Sequence, residues 1–522
     1  MIDNPYGEGM PSPYIKINAM KKLLLLIATF MMTFEMTAQW HPGAEIDINN
    51  VKTTLYGTGN FFRLRGDYDN TDQGYIVPKT GTAGTIFQNT LWIGGLDNTN
   101  NLHLAAVRFG QVGEDFWSGP LRVTDASTDI YGVMDYHHVW KVTRVDIEAL
   151  IANPNGYIPE DILTWPAHGN VADGYAANLA PFVDVDGDGI YNPRNGDYPD
   201  ILGDMALFCI YNDNYAEHTE TGGAPLGVEI HCMLYGFNAP NDEKLNNTLF
   251  MREWIYNRSV NTYTNSYVGY WSDFDIGYAS DDYTGCNVQN GYYYGYNGTP
   301  VDGDGQPEAY GNNPPAQVFL ILGGPTMNPD GLDNPKYDSN GNQLVDESIN
   351  GYGFGDGIID NERLGMTRFV YHNNTSSGIN GDPENAAEYY LLMRGIWKNG
   401  SPMQYGGTGM PGVAGTVGPE CNFMFPYDSD PYNWGTGGII PNGGFNQNGF
   451  YWSEETGDNG TPNAPNDRRG MASSGPFTFA AGSVHVIDRA YVTCWFTNGF
   501  DRAEMDEWAT YIKNYFNNNL NK

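Results

Sequence analysis

The chain has 522 residues, and 62 acidic against 26 basic side chains leave a net charge of −36. A polyanion of this kind repels phosphate backbones and anionic lipid, which argues against nucleic acid and membrane surfaces as partners. Hydrophobic residues reach 40%, enough for a large core or two adjoining ones, while 37 Tyr, 66 Gly and 31 Pro favour pleated, half-buried surfaces joined by turns. The expected fold class is mostly β: β-sandwich-like domain or domains with long Gly/Asn/Asp/Pro-rich loops, one short internal helix and a C-terminal helix.

In chain order, residues 1–38 read as a leader. Lys21 and Lys22 precede the apolar run Leu23 to Phe34, and Thr37-Ala38-Gln39 follows. A positive start, a short apolar stretch and a small residue at the cleavage point describe a secretory signal peptide over 20–38. The run is short for a membrane span, and no later stretch is long enough for one. The mature chain is then expected to begin near Gln39, with an extracellular or outer-surface location.

Residues 39–180 read as an N-terminal β-rich region, with strands near 85–87, 91–95 and 102–109. Thr143 caps a helix near 144–152, which Asn153-Pro154 ends. A second helical turn fits 159–164. After an acidic segment at 181–200, a main β-rich region covers 201–502, with strands near 205–211, 227–235, 249–256, 266–271, 318–322, 368–371, 389–396, 477–480 and 484–496. The stretch 296–366 is dominated by loops, which at that length need support of their own, and bound ions are one physical means. An amphipathic helix over 503–516 closes the chain, within a C-terminal segment 503–522.

The strongest motif is Asp184-Val185-Asp186-Gly187-Asp188-Gly189-Ile190-Tyr191-Asn192-Pro193. Calcium takes six to eight oxygens, and alternate aspartates supply carboxylates while a glycine permits the sharp turn. Asp184, Asp186, Asp188, the Ile190 carbonyl, Asn192 and Asp197 are the expected ligands of a structural calcium ion. Position twelve of such a loop is Asn195 rather than Glu, so this is not a helix-loop-helix hand. Three aspartates at alternate positions repel one another without a cation, which favours the ion over a bare solvated turn. Weaker candidates are Asp338, Asn340, Asn342 and Asp346, then Asp356, Asp360 and Glu362, and lastly Asp273 and Asp275 with Asp281 and Asp282. The first two of these fit a solvated turn about as well as a metal ligand, and the last reads as a second cation site or a carboxylate pair beside a strand.

Enzyme templates are missing: there is no H-E-x-x-H, G-x-S-x-G or Walker A loop. His137, His138, His218 and His231 are scattered and read as surface or core histidines. No catalytic or cofactor-binding residue is nominated, and a non-enzymatic role is expected. Carboxylate pairs and abundant aromatics keep a carbohydrate-binding or carbohydrate-degrading protein as the alternative, with glycans or cell-surface components as partners. Cys209, Cys232, Cys286, Cys421 and Cys494 form no C-x-x-C; export permits one or two bridges, with their connectivity open.

Several segments carry a family likeness: 182–200 (FVDVDGDGIYNPRNGDYPD), 270–286 (YWSDFDIGYASDDYTGC), 355–366 (GDGIIDNERLGM), 394–407 (RGIWKNGSPMQYGG), 421–435 (CNFMFPYDSDPYNWG) and 467–477 (DRRGMASSGPF). In these the chain resembles a large family of secreted Bacteroidota proteins, often cargo of the type IX secretion system. The resemblance implies an exported surface or extracellular protein with calcium-type aspartate loops and no assigned chemistry. Members commonly continue into a C-terminal sorting domain, whereas this sequence stops at Lys522, a departure that weakens the expectation of type IX export and anchoring.

Overall fold

The computed structural model describes residues 41–64, 74–109, 113–344, 347–413, 415–416, 418–441, 449–457 and 460–521. The signal-peptide segment and Asp346 lie outside the described residues. Residues from Gly43 onward form one compact unit.

Two large antiparallel sheets organise that unit into a sandwich-like arrangement. One has eight strands, in the order Gly43–Ile46, Thr53–Tyr56, Asn60–Phe61, Gln88–Leu96, Tyr263–Phe274, Arg468–Phe479, Arg368–His372, with Leu102–Ala105 also paired to Gln88–Leu96. The other has nine, running Asp282–Asn287, Tyr292–Asn297, Ala316–Gly323, Val484–Cys494, Thr248–Asn257, Val228–Gly236, Met205–Asn212, Trp117–Ser118, with Trp140–Thr143 also paired to Met205–Asn212. Both sheets draw strands from both β-rich stretches of the sequence.

Alternation along the strands assigns each side chain a layer. In Met205–Asn212, Leu207, Cys209 and Tyr211 join the core between the sheets, while Ala206, Phe208 and Ile210 join a second core on the far face. That far face is covered by the C-terminal helix and by the 140–201 segment, so the nine-stranded sheet is buried on both sides. Its strands accordingly read as continuous apolar runs rather than as alternating ones.

The C-terminal helix, Arg502–Asn519, begins where the Asp501 carboxylate accepts the amides of Ala503 and Glu504 at 2.8 and 3.2 Å. Met505, Trp508, Ala509, Ile512 and Phe516 are its buried stripe. The internal helix is Arg144–Ala152, and the Thr143 hydroxyl accepts the Asp146 amide at 3.1 Å.

Two expectations need correcting. The segment read as a strand over 389–396 is a helix, Ala386–Met393, started by Asn385 accepting the Glu388 amide. Its Tyr389, Tyr390, Leu392 and Met393 are buried, because the helix lies on the outer face of the eight-stranded sheet with Tyr389 against Trp92. The apolar run therefore reflects burial rather than strand pairing. Glu160–Leu163 is the helical turn expected near 159–164, whereas Ala386–Met393, Ile130–Asp135 and Glu243–Asn246 are helices beyond those expected. These are short pieces, four to eight residues, with too little periodicity to stand out.

Candidate functional site: two acidic centres

The first centre is the loop over 184–197, held between the short paired strands Phe182–Val183 and Tyr198–Pro199. Carboxylate oxygens of Asp184, Asp186 and Asp188 lie within 4.8 Å of one another. The loop organises itself locally. Asp184 accepts the amides of Gly187 and Gly189, each at 2.8 Å, and Asp188 accepts that of Ile190 at 2.8 Å. Asp186 accepts the Asp188 amide at 3.3 Å and the Asn195 side chain at 2.9 Å. Gly189 sits at φ 77°, a left-handed value that favours glycine. Each carboxylate oxygen has a second lone pair, so these bonds leave acceptor capacity for a hard cation.

The other nominated residues of this loop do different work. Asp197 is wholly buried and accepts the amides of Val185 and Asn192, each at 2.8 Å, tying the two ends of the loop together. The Asn192 side chain accepts the Arg194 amide and starts the 193–195 turn. Ile190 leaves its side chain exposed. Three of the six nominated residues thus form the carboxylate cluster.

The second centre was only half legible. Asp273 and Asp275, at the end of strand Tyr263–Phe274, meet Asp467, which immediately precedes Arg468–Phe479; oxygens of the three lie within 4.8 Å of one another. These strands pair with Asp273 opposite Arg469. Arg469 donates to Asp273 at 3.1 Å and grips Asp382 through two bonds of 2.9 Å. Asp382 also meets Arg108 at 3.2 Å and His372 at 3.2 Å, and Trp271 donates to His372 at 2.9 Å. Asp467 accepts the Asn374 side chain at 2.5 Å.

Electrostatics separate the members of this network. Burial pushes the Asp273 carboxyl up to about 7, Arg469 opposes the rise and Asp467 adds to it. Burial, then the neighbouring Asp273 and Asp467, raises Asp275 well above the ordinary carboxylate value. Asp382 is held low despite its burial, because His372, Arg469 and Arg108 surround it with positive or donating groups. Asp467 had no spacing signal: it stands almost two hundred residues along the chain from its partners, and only strand pairing unites them.

Asp281 and Asp282 do not join this trio. Asp282 is wholly buried and accepts the Ile276 amide at 3.0 Å, and Asp281 accepts that of Gly303 at 2.9 Å. Asp302 accepts the amides of Tyr278 and Tyr310 in the same region. Asp338 folds a turn on itself, accepting the amides of Asn340 and Asn342 at 2.8 Å each and the Asn342 side chain at 3.0 Å, which holds its carboxyl low. Asp360 and Glu362 interlock with 330–334. Asp360 accepts from Asp330 and Gly331, Glu362 from Asn334, and Asp333 from Gly355 and Gly357. Asp356 accepts the Ile358 amide at 2.9 Å. Asp333 escaped sequence reading because its carboxylate acts on a segment more than twenty residues away.

A cleft of about 500 Å³ lies beside the start of the C-terminal helix. Tyr292, Tyr294, Tyr427 and Phe500 form its aromatic walls, and Asp428 and Asp506 contribute carboxylates. Arg502 lies 4.5 Å from the centre of the Tyr427 ring. Asp506 accepts Asn290, Tyr292 and Asn287 on one oxygen, at 2.6, 3.1 and 3.2 Å.

No protein-family model matches this sequence, and no curated protein matches it. Among the described residues, no helix is long and apolar enough to cross a membrane.

Proposed function

We propose that the chain is an exported extracellular or cell-surface protein of the secreted Bacteroidota type, structural or adhesive in role, whose long loops are held by calcium. The observation that carries this reading is the 184–188 carboxylate trio on a glycine-hinged loop, an all-oxygen donor set of the kind calcium takes. The interlocked aspartate turns at 330–362 extend the same logic to the longest loop region. The test is thermal unfolding of the chain from Gln39 with millimolar calcium and with chelator, beside Asp186→Ala/Asp188→Ala. A calcium-dependent rise that the double variant loses supports the reading, and superimposable melts refute it. Recovery of the mature protein outside the cell, starting near Gln39, tests export.

A second reading, a carbohydrate-binding protein, is favoured by the cleft at Tyr292, Tyr427, Asp428 and Asp506. Tyrosine faces pack against sugar rings, and carboxylates accept hydroxyl protons. Binding to an oligosaccharide array that Tyr427→Ala removes would establish it. An empty array at concentrations that reveal millimolar affinity would dismiss it.

A further inference from the structure

All five cysteines are buried. They are not equivalent in the sheet: Cys209 stands directly opposite Cys232 in the antiparallel pair Met205–Asn212 and Val228–Gly236. Cys286 stands opposite Tyr293 and Cys494 opposite Ala316, and Cys421 lies outside the strands. Cys209 and Cys232 both belong to the core between the sheets, so their side chains leave the same face.

The ladder fixes the kind of pair. The Asp213 amide donates to Val228 at 3.2 Å, and the Gly119 amide donates to Ile210 at 2.8 Å on the other side of the strand. Backbone groups alternate sides along a strand, so Tyr211 with Ile230, and then Cys209 with Cys232, are hydrogen-bonded pairs. In such a pair the Cα atoms stand about 5.5 Å apart, inside the range disulfides span. Opposed Cβ atoms at about 4.5–5.5 Å are wider than the roughly 3.5–4.5 Å of a relaxed bridge, so closure draws the strands together and leaves a bond that is readily reduced.

We propose that Cys209 and Cys232 form a cross-strand disulfide when the protein folds in an oxidising medium. The proposal rests on the exported reading only for where the oxidant is met. One cysteine thiolate attacks a small-molecule disulfide and releases one thiol. The second cysteine, also as thiolate, then attacks the protein-bound sulfur and releases the other thiol. Two protein thiols are oxidised, one external disulfide is reduced to two thiols, and the cysteine protons leave to solvent or to those thiols. The Arg489 guanidinium sits in this core, raised in basicity by Glu253 first and by Cys232 among others, and its positive charge opposes the rise that burial imposes on the Cys232 thiol. Both cysteines are fully shielded in the native chain, so exchange has to precede closure of the core.

The test is denaturing alkylation followed by peptide mass mapping of the chain from Gln39, refolded in a buffer of oxidised and reduced glutathione. The expected result is one cross-link joining the Cys209 and Cys232 peptides. Cys494→Ala should retain it, and Cys209→Ala or Cys232→Ala should lose it. Reduced protein given the same oxidant after folding should stay unlinked. Free Cys209 and Cys232 after oxidative refolding of the unaltered chain, or a link from either to another cysteine, would overturn the proposal. A cross-link in refolded protein together with free thiols in cell-derived protein supports the bond and counts against export instead.

Discussion

The two acidic centres hold three close carboxylates each, yet they are built in opposite ways. In the 184–197 loop the three charges alternate along one short turn, half-buried at Asp184 and exposed at Asp186 and Asp188, and they are steadied by the loop's own amides. At Asp273, Asp275 and Asp467 they arrive on two strands, and the stabilising charge comes from Arg469, which stands opposite Asp273 across the strand pair. Proximity in sequence is solvated and tolerates an absent counter-charge. Proximity in the fold is desolvated and does not, because an unpaired buried charge costs far more than an exposed one.

The largest effect should come from the buried side. Arg469→Met removes the partner of Asp273 and Asp382 while keeping apolar bulk, and is expected to cost about 3–5 kcal/mol in urea denaturation. A loss below about 1 kcal/mol would show that something other than Arg469 neutralises the centre.

Next comes the exposed loop. Calcium at a hundredfold excess over its dissociation constant should add about 2.7 kcal/mol to the unaltered chain and nothing to Asp186→Ala/Asp188→Ala. With chelator the two should agree within about 0.5 kcal/mol, as befits surface charges. A large difference in chelator would erase the contrast between the centres.

The pH dependence separates them again. Asp273 is raised from 3.8 to about 7, so between those values the native chain keeps a proton the unfolded chain has lost. Its contribution is full below the lower value and disappears as pH rises through the higher one. Changing Asp273 to Asn should therefore flatten the loss of stability between about pH 5 and about pH 8 by about 2 kcal/mol, followed by denaturant midpoints. Identical pH profiles would mean the carboxyl titrates normally.

The smallest change sharpens the local half. A methyl group at Gly189 meets nothing within 4 Å, so Gly189→Ala tests backbone conformation alone. At φ 77° the cost is about 1 kcal/mol, read as weaker calcium-induced stabilisation.

Legibility of the site followed the same division. The Asp184, Asp186 and Asp188 trio was visible because one short turn carries it, whereas Asp467 needed the pairing of Tyr263–Phe274 with Arg468–Phe479. Asp197 was nominated with the trio, but whether a carboxylate two residues beyond position twelve faces the loop or ties its neck depends on which amides surround it.

By itself, the sequence determined a mostly β chain, the capped helix near 144–152, the amphipathic helix near 503–516, the acidic loop and its glycine hinge, since each depends on neighbours a few residues apart. Only the tertiary structure decided that 386–393 is helical, that two interleaved sheets share one core, that Arg469 joins Asp273 to Asp382, and that Cys209 meets Cys232. Those outcomes are set by burial and strand register between distant segments, and a one-residue change of register would send each side chain to the opposite face.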